Sequence, residues 1–140
     1  MTTWTWKAFT ELTPDELYAL LALRQRVFVL EQRCLYPDID GHDRAAHHLL
    51  GLEESRLIAY LRVLPPHTRT PELSLGRVVT APEARAQGLG RLLVQRGIDF
   101  IAERFPGAPI HIGAQNHLRR FYESLGFRAA GDVYDEDGIP

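Results

Sequence analysis

The chain has 140 residues, 45% of them apolar and 24% charged, with a net charge of −2. That size and composition fit one domain with its own core, spanning 1–140, and exclude a disordered or fibrous chain. Lys7 is the only lysine and Cys34 the only cysteine, which excludes a lysine-rich nucleic-acid or membrane surface, an internal disulfide framework and a CxxC metal knuckle.

The start, MTTWTWKAF, lacks the basic head and apolar core of a signal peptide, and no apolar run nears the roughly 18 residues of a membrane span. A cytoplasmic protein is expected. TWTWKAF alternates and is rich in aromatic and β-branched residues, so it predicts a first strand. Thr13-Pro14-Asp15-Glu16 joins a capping threonine, a proline at the first helical position and a glutamate three past the cap, which starts a helix. The helix is predicted to reach about Leu30, with Leu17, Leu20, Leu21, Arg24, Val27 and Phe28 on one mostly apolar face. It leads into the polar, turn-rich EQRCLYPDIDGHDRAAH, where a functional loop is expected.

HLLGLEE and RLIAYLRVL predict an antiparallel hairpin broken at Glu54-Ser55-Arg56. PPHTRTPE punctuates the chain. LSLGRVVT reads as a strand, LGRLLVQRGIDFIAERF as a helix, PIHIGA as a buried strand, HLRRFYESLG as a short helix closed by Gly126, and FRAAGDVYD as a last strand. The order βαβββαβαβ predicts an α/β (α+β) domain with one mixed sheet covered by helices.

RAQGLGR lies where a strand hands over to a helix. The free N–H groups of the helix's first turn face that junction, and glycines let an anion such as pyrophosphate approach the backbone. A glycine pair alone is a weak signal, since a tight strand-to-helix turn needs no ligand. The nucleotide P-loop is a poor match, because no Lys-Ser/Thr follows the glycines. The dinucleotide fingerprint also fails: its third glycine would fall at Leu93, and PIHIGA ends without an acid. A nucleotide-dependent oxidoreductase therefore loses ground.

Arg85-Ala-Gln-Gly88-Leu-Gly90, preceded by RVVT, resembles the coenzyme A turn of the GNAT superfamily of N-acetyltransferases, and FYESLGF resembles that family's closing aromatic-Tyr-x-x-x-Gly-Phe signature. VFVLEQRCLYPDIDGHD, HLLG, GAQNHLRRFYESLGF and YDEDGIP narrow the likeness to the ElaA-like branch, from about Leu17 to the chain end. The resemblance implies the GNAT fold, a mostly antiparallel mixed sheet flanked by helices with a splayed central pair of strands, and acetyl-CoA as cosubstrate. It implies an acyltransferase that moves an acetyl group to a primary amine of an unidentified small-molecule or peptide acceptor by direct attack. A non-catalytic acyl-CoA-binding or interaction module is the alternative.

Carried over residue by residue, the resemblance puts the backbone of Arg77, Val78 and Val79 against the pantetheine arm. Arg85, Ala86, Gln87, Gly88, Leu89, Gly90 and Arg91 fall on the pyrophosphate loop, with the amides of Gln87 through Arg91 as donors. Tyr122 matches the tyrosine that serves as general acid to the departing thiolate. Gln115 stands where many members have a coenzyme-contacting asparagine, with Asn116 next to it, so either amide could serve, and Leu118 replaces a common alanine.

An amine must lose a proton to attack, so a general base is needed. Candidates are Glu31, Asp38, Asp40, Asp43, His47, His48 and His111. Glu31 has first claim because it ends the apolar helix facing the loop; an exposed helix-end glutamate with no catalytic part is the competing reading. His48 opens a strand, where a hydrogen-bonded structural histidine is equally natural. Asp38, Asp40 and Asp43 predict an acidic, solvated loop that favours a cationic acceptor. With His42 they resemble an incomplete calcium loop, but Leu49 stands where an EF-hand needs its closing acid, so no metal is expected. Cys34 reads as structural rather than as an acyl carrier. The ElaA-like branch continues past EDGIP into a further strand, which leaves open an incomplete last hairpin or one finished by a neighbouring chain in a homodimer.

Overall fold

The computed structural model describes residues 2–31, 38–68, 71–85 and 88–112. Among the described residues five strands form one sheet in the order β1-β2-β3-β4-β5: β1 Thr3–Ala8, β2 His47–Glu53, β3 Arg56–Leu64, β4 Leu73–Thr80 and β5 Ile110–Ile112. The first four pair antiparallel and β5 joins β4 in parallel, so the sheet is mixed as expected. The helix and strand predicted after Ile112, and the splay of the central pair that depends on them, lie outside the described residues.

Helix α1 spans Pro14–Arg24. Its start follows the predicted capping box: Thr13 Oγ1 accepts from the Glu16 N–H at 3.0 Å, and Glu16 Oε1 accepts from the Thr13 N–H at 2.8 Å. Lys7 on β1 adds a 2.7 Å ion pair to Glu16, tying the first strand to the first helix. Burial would raise the Glu16 carboxyl, but Lys7 and Thr13 outweigh it and hold it below its usual value. The helix does not run regularly to Leu30. It widens into a π-helical turn over Gln25–Glu31 that buries Val27 and Phe28.

The β2–β3 hairpin closes through Glu54 and Ser55, both with positive φ (51° and 67°), the twist that two-residue hairpin turns require. Helix α2, Leu89–Arg104, crosses the sheet where Gly97 meets Leu61 and Leu75. A Cβ on Gly97 would stand 2.7 Å from Leu75 Cδ1, so the glycine sets how closely α2 packs. Tyr60 and Arg62, the neighbours of Leu61 along β3, contact Arg24 and the loop after α1 instead. Strand alternation thus places α1 and α2 on opposite faces. The core joins Leu20, Leu23 and Val27 to Leu49, Leu61 and Leu93 through the sheet. Among the described residues no helix is long and apolar enough to cross a membrane.

Strand β4 carries a bulge. Arg62 pairs with Gly76 but Tyr60 with Val79, so β4 has one residue more than its partner, and Arg77 takes a left-handed φ of 51°.

Replacing Thr13 with alanine removes the cap. The expected loss is about 1 kcal/mol, or roughly 3 °C in melting temperature, read by thermal unfolding.

Candidate active site

The starts of α1 and α2 differ. The N-terminus of α1 is closed by Thr13 and Glu16. At α2 the N-cap is Gly88, in the left-handed region at φ 68° and ψ 13°, with no side-chain cap bond and no acid in the first turn. Backbone N–H groups at such a start carry the positive end of the helix dipole, and no Cβ on Gly88 obstructs approach. Arg91 adds a cation in that first turn. Arg85 lies on the approach. Its Nη1 meets Glu31 Oε1 at 2.7 Å, and its Nη2 donates to the Thr80 carbonyl at 3.4 Å. Gly88, Leu89, Gly90 and Arg91 therefore form the α2 start, while Arg85, at the end of the segment before it, is held by Glu31 and the Thr80 carbonyl. Ala86, Gln87, Gln115, Asn116, Tyr122 and Cys34 lie outside the described residues.

On the other face, a charge network replaces the solvated acidic loop. Arg24 places Nε 3.0 Å from Asp38 Oδ2 and Nη1 2.8 Å from Asp43 Oδ1. Arg62 Nη1 donates to Asp40 Oδ1 and Asp43 Oδ1, both at 2.9 Å. Arg77 Nε lies 2.9 Å from Asp38 Oδ1, and its Nη2 donates to the Asp38 carbonyl at 3.1 Å. The Asp38, Asp40 and Asp43 side chains are only 9%, 18% and 10% exposed. They are spent on internal arginines, which corrects the expectation that they attract a cationic acceptor. Among the described residues no acid or histidine cluster is arranged to hold a metal.

His48 is fully buried. Its Nε2 faces the Asp43 carbonyl at 2.9 Å, so this nitrogen carries the proton; Nδ1 then accepts from the Tyr60 hydroxyl at 2.6 Å. Burial lowers its pKa, outweighing the Asp43 carbonyl, and the ring is a structural bridge. His47 packs against Phe100 and Phe105 of the α2 side, and burial followed by the nearby Arg104 lowers its pKa. His111 sits on β5 opposite Ser74 of β4. Burial would raise Asp40 and Asp43, but Arg62 for the first and Arg24 for the second hold both below the usual carboxylate range.

In the sequence Arg24 falls on the apolar helix face with no sign of its partners, and nothing but its apolar surroundings singles out Arg62. A charge inside an apolar run was the available signal, since a buried charge must be paired.

The profile of the family described as Acetyltransferase (GNAT) domain matches residues 11–140. The chain belongs to the GNAT acetyltransferase family. A UPF0039 protein of Synechocystis is 43% identical over 137 residues, covering 97% of this chain and 89% of that protein. Protein ElaA of Escherichia coli is 41% identical over 133 residues, covering 94% and 87%, and its crystal structure superposes at a TM-score of 0.91 over 99% of this chain and 95% of that one. A Pseudomonas aeruginosa structure described as an acyl-CoA N-acyltransferase also reaches 0.91, at 41% identity, covering 98% and 95%. These GNAT relatives confirm the predicted fold class and the ElaA-like affinity.

Breaking the network should be costly. Arg24→Met leaves Asp38 and Asp43 short of a partner and is expected to destabilise by about 3–5 kcal/mol in urea unfolding. Wild-type stability should fall with acid in two stages. His47 and His48 are harder to protonate folded than unfolded, so stability declines as pH drops below about 6.5. Asp40 and Asp43 hold protons more weakly folded than unfolded, so a second loss begins below about pH 4. Urea midpoints from pH 8 to 3 trace both.

Proposed function

We propose that the chain, as one domain over 1–140, is an acetyl-CoA-dependent N-acetyltransferase that acetylates a primary amine of a small molecule or peptide. The observation that carries this reading is the α2 start, with left-handed Gly88 as its N-cap and no side-chain cap among the described residues, in a chain 41% identical to a protein described as an acyl-CoA N-acyltransferase. Backbone amides of Gly88 through Arg91 would bind the pyrophosphate by charge-assisted hydrogen bonds. The pantetheine arm would run back along Val79, Val78 and Arg77, bringing the thioester toward the first half of β4.

The amine nitrogen attacks the thioester carbonyl carbon, the carbon–sulfur bond of the resulting tetrahedral intermediate breaks, and the acetyl group leaves on nitrogen. Tyr122 gives its proton to the thiolate. Asp38, Asp40, Asp43 and His48 are committed to the buried network and His47 to the aromatic packing under α2, which narrows the base to Glu31 and His111. We assign it to His111, because β5 sets this residue beside Ser74, toward the end of β4 that the thioester reaches. The acetyl donor is thereby anchored at one end of β4 and used at the other.

Coenzyme A should raise the melting temperature, and acetyl-CoA with an amine panel should release thiol. Tyr122→Phe and His111→Gln should each lower kcat about 100-fold. No stabilisation by coenzyme A would refute the reading. Binding without thiol release from any amine or peptide would favour a non-catalytic acyl-CoA-binding module.

A further inference from the structure

We propose that Glu31 is a displaceable counter-ion for Arg85, holding its guanidinium in the free protein and yielding it to the pyrophosphate of coenzyme A. This rests on the coenzyme A reading of the α2 start and gives Glu31 a positioning role in place of proton abstraction.

Two ion pairs of opposite sense join the π turn of α1 to the segment leading into α2. Arg26 Nη2 meets Glu83 Oε1 at 2.5 Å, and Glu31 Oε1 meets Arg85 Nη1 at 2.7 Å. The first has its cation on the helix and its anion on the approach segment; the second reverses this. Only the second reaches the residue that opens the glycine turn. The Arg85 and Glu31 side chains are 40% and 41% exposed, so an anion arriving from solvent reaches the same guanidinium. Nη2 is turned to the Thr80 carbonyl, an uncharged contact that can persist while Nη1 changes partner.

Exchange follows from charge. A carboxylate carries one negative charge and exposed pairs of this kind are weak, whereas a pyrophosphate brings more charge and further acceptors, and the α2 amides bind it at the same time. Glu31 loses that competition but lowers the net affinity while it lasts. Its return to Arg85 likewise assists departure of free coenzyme A after transfer. The π turn supports this use of Glu31, because widening the last turn of α1 changes the direction in which its final residue emerges.

The test measures coenzyme A affinity calorimetrically at low ionic strength for wild type, Glu31→Gln, Glu83→Gln, Arg85→Gln and the Glu31→Gln/Arg85→Gln double variant, with thiol-release kinetics alongside. Glu31→Gln should tighten binding about two- to fivefold, the scale of an exposed ion pair, and lower KM for acetyl-CoA while kcat is retained. Glu83→Gln changes charge equally but touches Arg26 and Arg56, and should leave affinity unchanged. Arg85→Gln should weaken binding, and adding Glu31→Gln to it should gain nothing. The proposal is overturned by unchanged or weaker binding in Glu31→Gln, by equal tightening in Glu83→Gln, by a gain that survives in the Arg85→Gln background, or by a fall in kcat at constant affinity, which would mark a base. A wild type that binds no coenzyme A overturns the function reading itself, a result separate from any variant.

Discussion

Burying a guanidinium in an apolar interior is unfavourable unless its charge is matched and its donors are used. Arg24, Arg62 and Arg77 all lie in the interior, and Asp38, Asp40 and Asp43 come to them from a single short stretch of loop. The architecture of this face depends on that match. Arg24 stands on α1, Arg62 on the central strand β3 and Arg77 on the bulge of β4, so one loop fastens three elements at once. His48 and Tyr60 extend the arrangement with neutral hydrogen bonds. Such a network stabilises little relative to a well-packed apolar alternative, but it permits very few arrangements of the loop.

Features resting on local chemistry were legible in the sequence. The capping box at Thr13, the hairpin tip at Glu54-Ser55, the strand-to-helix turn at Gly88 and the short strand at Ile110 need only neighbouring residues, and each appears where the pattern placed it. Pairings across the chain were not legible. The arginine–aspartate partners lie from 14 to 39 residues apart, and nothing in DIDGHD distinguishes carboxylates facing water from carboxylates facing buried guanidinium groups. The π turn was missed for a similar reason, since QRVFVLE satisfies an ordinary helical period. In the candidate site, the glycine turn could be read, whereas the proximity of Glu31 to Arg85 required the fold.

The molecule separates two kinds of construction. The α2 start is made largely of main chain, so its shape follows from backbone conformation and depends weakly on most side chains around it. The opposite face is made of side chains with little backbone regularity. A residue exchange in the first region alters charge near a site that persists, while an exchange in the second alters the path of the chain itself. Helix α1 borders both, with Arg24 in the network and Glu31 at the edge of the turn.

Arg77 links these regions in a further way. A left-handed backbone at a non-glycine residue costs on the order of 1 kcal/mol, and here the guanidinium that accompanies the bend is gripped by Asp38 and Asp40. The bend and the loop therefore support one another: if residues 38–43 detach, the carboxylates gripping the Arg77 guanidinium are lost and the bulge of β4 loses its brace. Loop detachment would then be visible at a distance, as altered amide exchange in the middle of the sheet.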